Sequence, residues 1–216
     1  MAQDKIWLDT LKPEHAAALE QLQKDCFPTL GKAELLRAEH FRRHAELFPE
    51  GNIVALVGER VVGLGAGLLT DFDFDHINHS FQDIITGGSY ERHDPNGAWY
   101  YGTDISVHPQ YRRRGVARQL YDARKTLVKR LNKRGIVAGG VLPTFAKYKA
   151  KMSVQDYVDK VIKGDIFGQT LSVQLRNGFT VRGLLENYIE DEAADNWATL
   201  LVWENPEYEP KLREKD

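Results

Sequence analysis

A cluster of arginines and one glycine lies between a predicted strand and a predicted helix, at His108–Arg118. The preceding segment, Trp99–Val107, is aromatic and β-branched, which is typical of a strand. The following segment, Arg118–Arg134, contains neither proline nor glycine and predicts a helix. The N–H groups at the start of a helix have no partner inside the helix and lie at the positive end of its dipole. A strand-turn-helix segment of this kind is therefore a candidate phosphate site.

The side chains of the turn suit the same purpose. Gly115 allows dihedral angles that other residues avoid, so the main chain can curl closely around an anion. Ala117 keeps a second contact position small. A solvated turn without a ligand is the alternative. The residues that add positive charge are Arg112, Arg113, Arg114 and Arg118.

The pattern Arg112-x-x-Gly115-x-Ala117, after a strand that ends at Asp104–Pro109, resembles the acyl-CoA pyrophosphate loop of the GNAT N-acetyltransferase superfamily. That family has Gln/Arg-x-x-Gly-x-Gly/Ala at a strand-to-helix turn. Asn177-Gly178-Phe179 extends the resemblance, because the family commonly has Gly-Phe where its last hairpin begins. The resemblance implies acetyl-CoA as the acyl donor.

Five further segments resemble the GNAT region that precedes a carbon–nitrogen hydrolase (nitrilase-like) domain in some bacterial two-domain proteins. This chain has no room for such a domain, and Cys26 is in the wrong context for its Glu-Lys-Cys machinery. We therefore expect no amidase activity from this chain. The segments are His108-Pro109, Leu120–Lys125, Leu131-Asn132, Ile136–Gly140 and Gln174–Phe179.

Composition indicates a soluble globular protein. The chain has 216 residues, of which 42% are hydrophobic and 28% charged, and we predict one domain over 1–204 and a charged, poorly ordered tail over 205–216. A net charge of −2 gives no case for nucleic-acid or membrane partners. The single cysteine, Cys26, suits a reducing compartment, and no apolar signal core follows Met1. We therefore expect a cytoplasmic location.

Hydrophobic periodicity predicts the order β-α-α-β-β-β-α-β-α-β-β, with the second helix over 32–47 and an irregular loop over 76–97. This is the order of the GNAT fold. The predicted class is α/β (α+β), with a mixed central sheet of about seven strands flanked by helices. Basic residues from Arg124 to Arg134 are expected on a solvated helix face. The glycines of Ile136–Val141 are expected where another group comes close.

The resemblance implies roles for the main chain around the turn. Two strands splay apart at the sheet centre, and the pantetheine arm of CoA bonds the main chain of Ile105 and Val107 in the gap. The pyrophosphate lies on the amides of Arg113–Ala117, which include Val116. An N–H group near Val107 faces the thioester carbonyl as oxyanion donor.

The proton-transfer groups are predicted on the strand itself. Asp104 lies where GNAT enzymes carry a general base, and its alternatives are to cap the turn or to pair with a helix residue. Tyr100 and Tyr101 point in opposite directions, so one of them faces the cleft. We assign Tyr101 to that role, with core packing as the alternative.

One position departs from the family pattern. Many GNAT enzymes have a tyrosine, which protonates the leaving thiolate, four residues before the glycine of Gly-Phe, and here that residue is Gln174. Glutamine cannot be a general acid, but it can hydrogen-bond the sulfur or the pantetheine arm. Tyr148 or Tyr157 could substitute.

No metal site is predicted. Asp71-x-Asp73-x-Asp75 has a calcium-loop spacing, but His76 replaces the required glycine and Gln82 the closing glutamate. His76-x-x-His79 has a ligand spacing, although a polar loop explains it equally well.

The sequence therefore predicts an acyl-CoA-dependent N-acyltransferase in which an amine attacks the thioester directly. The acceptor is a small-molecule or peptide amine, and a homodimer is a possible assembly. The alternative is an acyl-CoA-binding or regulatory module without catalysis, which the glutamine at Gln174 favours.

Overall fold

Seven strands form one mixed sheet in the computed structural model, which describes residues 5–210. They are β1 (Ile6–Thr10), β2 (Ile53–Val57), β3 (Arg60–Thr70), β4 (Trp99–Val107), β5 (Gly135–Val141), β6 (Thr180–Leu185) and β7 (Ala198–Glu204). Their spatial order is β1-β2-β3-β4-β5-β7-β6. Only β4 and β5 pair in parallel, and all other neighbours are antiparallel. The predicted fold class and strand number are confirmed.

Helices cover both faces of the sheet. One hydrophobic core holds Leu19, Leu22 and Phe41 from the N-terminal helices, and a second holds Tyr121 and Tyr157 from the central ones. Within residues 5–210, no helix is long and apolar enough to cross a membrane. The helices are α1 (Ala16–Cys26), α2 (Ala38–Leu47), α3 (Phe81–Ile85), α4 (Val116–Arg130), α5 (Val154–Lys163) and α6 (Leu171–Arg176).

The second helix is shorter than predicted. It begins at Ala38 rather than at residue 32, because Lys32–Glu34 forms a separate 3-10 turn followed by extended backbone at Leu35. Tertiary contacts fix this segment: Gly31 N–H donates to Glu190 O at 2.9 Å, and Gln82 donates to Glu34. These bonds outweigh the local helical pattern of the sequence.

The loop over 76–97 is not fully irregular, because it contains α3. Ser80 caps this helix: its Oγ accepts from Asp83 N–H at 3.1 Å, and Asp83 Oδ2 accepts from Ser80 N–H at 2.8 Å. This reciprocal capping box satisfies two otherwise free N–H groups and explains why a short helix is stable here.

The beginning of the predicted tail is held in place, so the prediction of poor order is wrong for residues 205–210. Glu207 forms an ion pair with Lys129 at 2.5 Å, and Glu209 N–H donates to Asn132 at 2.9 Å. Residues 211–216 lie outside the described residues.

Candidate active site

The two central strands separate halfway along their length. β4 and β5 pair only between Trp99–Gly102 and Gly135–Ala138. Beyond these residues β4 continues along β3 to Val107, whereas β5 continues along β7 to Val141. The predicted splay is therefore present, and it opens a V-shaped gap in the sheet.

The main chain at the end of β4 faces this gap. His108 N–H donates to Val62 O of β3 at 2.9 Å. Because alternate residues of an antiparallel ladder face the neighbouring strand, Ile105 and Val107 direct their N–H and C=O groups away from β3. Arg112 Nε donates to Val107 O at 3.1 Å, which agrees with this orientation.

The turn after β4 presents the N-terminus of α4 to the same gap. Gly115 is the N-cap residue, with φ of 80°, and a Cβ atom built there would meet nothing within 4 Å. Glycine is therefore favoured by backbone conformation rather than by lack of space. Arg113 also has a positive φ, of 62°. The N–H groups of Val116 and Ala117 belong to the first turn and lack intrahelical acceptors.

The four arginines of the turn are exposed but have different surroundings. The Arg114 side chain stacks on the Tyr111 ring at 5.0 Å and does not line the gap. Arg118 Nε lies 3.8 Å from the Asp122 carboxylate. The arginines that line the gap are Arg112, Arg113 and Arg118.

Two adjacent cavities that share lining residues occupy the gap. The outer cleft, of about 870 Å³, runs along the turn, the start of α4 and the end of β4, with Asp25–Leu30 on one side and Phe167–Val173 on another. The inner chamber, of about 120 Å³, lies deeper, beside Asp104 and Gln174. The residues that line both are Phe27, Leu30, Ile105, Tyr121, Val141 and Thr170.

Asp104 is buried on the wall of the inner chamber, with 7% of its surface exposed. Gln23 of α1 donates to its Oδ2 atom, whereas Oδ1 has no partner. Burial raises the pKa of Asp104 to about 6, although the bond from Gln23 and the charge of Arg124 act in the opposite direction. The predicted alternative of pairing with a helix residue is therefore present, but one carboxylate oxygen remains free for a ligand.

A β-bulge sets the position of Asp104. Asp104 pairs with Ala66, whereas Gly102 pairs with Gly67, so Thr103 is an extra residue in β4. Arg124 of α4 donates to the carbonyl oxygens of both Ala66 and Asp104. This arginine is 3% exposed, so the predicted solvated face of α4 does not include it.

Gln174 of α6 also lines the inner chamber rather than the outer cleft. Its Oε1 atom has no partner, and Tyr121 lines the same chamber. Burial raises the pKa of Tyr121 to about 12, even though the charge of Arg124 and the Gln174 side chain act in the opposite direction. Tyr121 lies where the cleft meets the chamber.

Tyr101 does not line the cleft or the chamber. It is fully buried, and its hydroxyl contacts Tyr188 at 3.2 Å and His79 Nε2 at 2.6 Å. Because His79 Nδ1 donates to Ile77 O, the Nε2 atom of neutral His79 accepts a hydrogen bond from the Tyr101 hydroxyl. Tyr188 lines the chamber and stands between Tyr101 and the cavity. Tyr101 therefore packs in the core, which was the predicted alternative, and does not face the cleft.

The other sequence candidates lie elsewhere. Tyr148 and Tyr157 pack on each other in the second core, at 5.6 Å between ring centroids, and line neither cavity. His76 pairs with Asp73 at 2.8 Å. Across residues 5–210, no group of three or more histidine, cysteine, aspartate or glutamate side chains could hold a metal ion.

Comparison with known proteins identifies the family. The model of the Acetyltransferase (GNAT) family matches residues 16–143, which contain α1, the turn and β5. The uncharacterised N-acetyltransferase YkwB of Bacillus subtilis (strain 168) is 34% identical over 193 residues, which cover 88% of this chain and 84% of YkwB. This chain belongs to the GNAT acetyltransferase family.

A second relative is longer than this GNAT chain. The probable hydrolase YhcX of Bacillus subtilis (strain 168) is 38% identical over 208 residues, which are 96% of this chain. The chain spans only 40% of the length of YhcX. What the rest of YhcX does therefore does not transfer to this chain.

Solved GNAT structures share the fold. The loading GNATL domain of CurA from Lyngbya majuscula has a TM-score of 0.80 at 15% identity and covers 93% of this chain and 98% of the domain. The GphF GNAT-like decarboxylase, solved with isobutyryl-CoA, has a TM-score of 0.77 at 18% identity, with coverage of 92% and 99%. At these identities the similarity extends to the fold alone.

Most residues predicted to bind the cofactor come together in the outer cleft. The exceptions are Arg114, which turns onto Tyr111, and Gln174, which lies in the chamber. The predicted residues that line the outer cleft are Ile105, Val107, Arg112, Arg113, Gly115, Val116, Ala117 and Arg118.

The chamber residues that were not predicted from the sequence include Gln23, Tyr121 and Tyr188. One signal pointed toward Tyr188, because glycines in a buried strand indicate close approach of another group. A Cβ atom at Gly139 would lie 2.1 Å from Tyr188 Cζ, and one at Gly140 would lie 3.0 Å from Gln174 Oε1. The two glycines thus make room for polar groups of the chamber.

Proposed function

We propose that this chain is an acyl-CoA-dependent N-acyltransferase that transfers acetyl from acetyl-CoA to an amine. The observation that carries the proposal is a pair of adjacent cavities with shared walls, one along the turn at Gly115 and the other beside the buried carboxylate of Asp104. A donor held at the first point and an acceptor held at the second would meet at the junction. Positioning of this kind supplies several kcal/mol of the barrier.

The outer cleft suits the non-reacting part of CoA. The first-turn amides of α4 and three exposed arginines provide positive potential for the pyrophosphate. The free main-chain groups of Ile105 and Val107 would bond the pantetheine arm as an added strand. Arg112 Nε, which bonds Val107 O at 3.1 Å, would turn to the phosphates when the arm takes its place. The cleft volume of about 870 Å³ is within the range of ligand sites.

The chamber supplies the proton chemistry. With a pKa of about 6, Asp104 is mainly ionised at pH 7 and can accept a proton from the attacking amine. An N–H group near Val107 would face the developing oxyanion. The thiol of CoA has a pKa of about 8.5, so the thiolate can leave with limited help from a general acid. No covalent enzyme intermediate is required.

A second candidate is decarboxylation of an acyl-CoA, the reaction in the name of the GphF neighbour. One observation favours it: the α1–α2 loop bonds the β6–β7 loop through Gly31 N–H to Glu190 O and Glu192 N–H to Thr29 O, which restricts entry of a second substrate. The carboxylate of Asp104 weighs against it, because it would repel the carboxylate that such a substrate carries.

An assay with three arms separates the candidates. The chain is incubated with acetyl-CoA and an amine panel, with malonyl-CoA alone, and with CoA alone. N-acyltransfer predicts free thiol and an N-acetyl product in the first arm, and decarboxylation predicts acetyl-CoA in the second. CoA binding without turnover in either would support the module without catalysis.

We also propose that this chain corresponds to the GNAT region of proteins that carry a carbon–nitrogen hydrolase domain. The support is its 38% identity to the probable hydrolase YhcX over 40% of that protein's length. The proposal predicts no amide hydrolysis by this chain, since Cys26 lies on the wall of the outer cleft and burial raises its pKa to about 11. Release of ammonia from simple amides would contradict it.

A further inference from the structure

Two buried oxygen atoms face the inner chamber without a hydrogen-bond partner. They are Asp104 Oδ1 and Gln174 Oε1, on side chains that are 7% and 6% exposed. Buried acceptors of this kind are usually bonded, because an unmet bond costs the full desolvation of the group. Both atoms therefore point to a ligand that brings hydrogen-bond donors.

The neighbouring groups are already engaged. Asp104 Oδ2 accepts from Gln23 of α1. The Tyr188 hydroxyl contacts the hydroxyl of Tyr101, whose own O–H donates to His79. Across residues 5–210, the other buried side-chain atoms without partners belong to residues that do not line the chamber, namely His44, Asn52 and Ser106.

The number of donors narrows the ligand class. A primary amine or its ammonium form carries two or three N–H donors on one small atom, so one such group can serve more than one acceptor. A carboxylate has no donor, and a hydroxyl has only one. The charge of Asp104 further favours a cationic group over an anionic one.

The size of the chamber limits the rest of the ligand. A volume of about 120 Å³ is close to that of an engineered cavity, about 150 Å³, that holds benzene, and thus suits about six heavy atoms. Its wall is mainly apolar, with Phe27, Leu36 and Phe81 among the lining side chains. Bonds between the α1–α2 and β6–β7 loops oppose entry of a peptide chain.

We propose that the inner chamber is the acceptor subsite and takes a compact primary alkylamine, whose nitrogen bonds Asp104 Oδ1 and Gln174 Oε1. This inference rests on the proposed function for the fate of the amine, but not for its binding. The amine enters beside an apolar wall that lowers its pKa by desolvation, and the adjacent Asp104 carboxylate accepts the proton that it loses.

The test measures binding of n-propylamine, n-propanol and propionate to the CoA-saturated chain by calorimetry. We expect the amine alone to bind. Asp104→Asn removes the charge, and Gln174→Met removes the amide acceptor. Each variant should weaken amine binding by about 10- to 100-fold and leave CoA affinity within about twofold. Gln155→Met makes the same chemical change on the exposed face of α5 and should alter neither.

Three results would overturn the inference: unchanged amine affinity in both variants, equal affinity for propionate, or tighter binding of a peptide N-terminus than of n-propylamine. Other results would contradict the proposed function without contradicting the subsite, or the reverse. If n-propylamine binds as expected but no N-acetyl product forms with acetyl-CoA, the subsite stands and N-acyltransfer falls. If only peptides are acetylated, N-acyltransfer stands and the subsite falls.

Discussion

Gly139 of β5 lies so close to Tyr188 that a Cβ atom at residue 139 would stand 2.1 Å from Cζ of the tyrosine ring. The ring occupies the space where β5 has left β4, and its hydroxyl reaches Tyr101 at 3.2 Å. The splay of the sheet is therefore linked to a buried tyrosine pair, and glycine is required at residue 139 by packing.

Gly139→Ala should destabilise the fold by about 1–3 kcal/mol, because the added methyl group must displace the Tyr188 ring. The free energy of unfolding in urea measures this cost. In a Tyr188→Ala background the same change should cost much less, which a double-mutant cycle detects as coupling. An equal loss of unfolding free energy in both backgrounds would mean that the contact with Tyr188 does not cause the destabilisation by Gly139→Ala.

Gly115→Glu should abolish CoA binding. The substitution places a carboxylate beside the pyrophosphate position and disfavours the positive φ of 80°. Gly164→Glu is a matched control, because Gly164 has φ of 86°, an open surrounding and a position at the end of α5 away from the cleft. Calorimetry should detect CoA binding in the control only. Normal CoA binding by a folded Gly115→Glu protein would remove the turn from the cofactor site.

Asp104 should make stability depend on pH. Burial raises its pKa from 3.8 to about 6, so between these values the folded chain holds a proton that the unfolded chain releases. The free energy of unfolding should therefore fall by about 3 kcal/mol as pH rises from about 4 to 6. Asp104→Asn lacks this dependence. His44, whose pKa burial lowers to about 4, titrates in both proteins and cancels in the difference. Parallel curves for the two proteins would contradict the assignment.

Cys26 should react slowly with iodoacetamide. Burial chiefly, with the charge of Asp104, raises its pKa to about 11, so the reactive thiolate is about 100-fold rarer than in an unfolded chain. The sequence has one cysteine, so the rate reports this position alone. CoA should slow the reaction further, because Cys26 lines the outer cleft. Equal rates in the folded and unfolded chain, or no effect of CoA, would contradict this placement.

The sheet and the conformation of the turn at Gly115 could be predicted because their signals are local. The strand predicted over Trp99–Val107 is β4, with the same bounds. The start of α2 could not be predicted, since it depends on the hydrogen bond from Gly31 N–H to Glu190 O and on the bond that Glu34 accepts from Gln82 of α3. The helix α3 was missed, although Ser80-x-x-Asp83 has the spacing of a capping box.

The chamber was harder to predict because its groups come from distant parts of the chain. Gln23 bonds Asp104 across 81 positions, and no sequence pattern links α1 to that point of β4. Arg124 lies in a basic helix, and only the bulge at Thr103 explains why it is buried against two carbonyl oxygens. Tyr101 was assigned from strand alternation, which gives a face of the sheet but not the neighbour that covers it.

The most direct test of N-acyltransfer is the rate of product formation from acetyl-CoA and n-propylamine, measured by mass spectrometry from pH 5 to 8. N-acyltransfer predicts that N-acetylpropylamine forms and that its rate of formation rises through an apparent pKa near 6 as Asp104 ionises. Asp104→Asn should lose this activity and keep CoA binding. An undiminished rate in Asp104→Asn, or no N-acetyl product from any amine despite CoA binding, would contradict it.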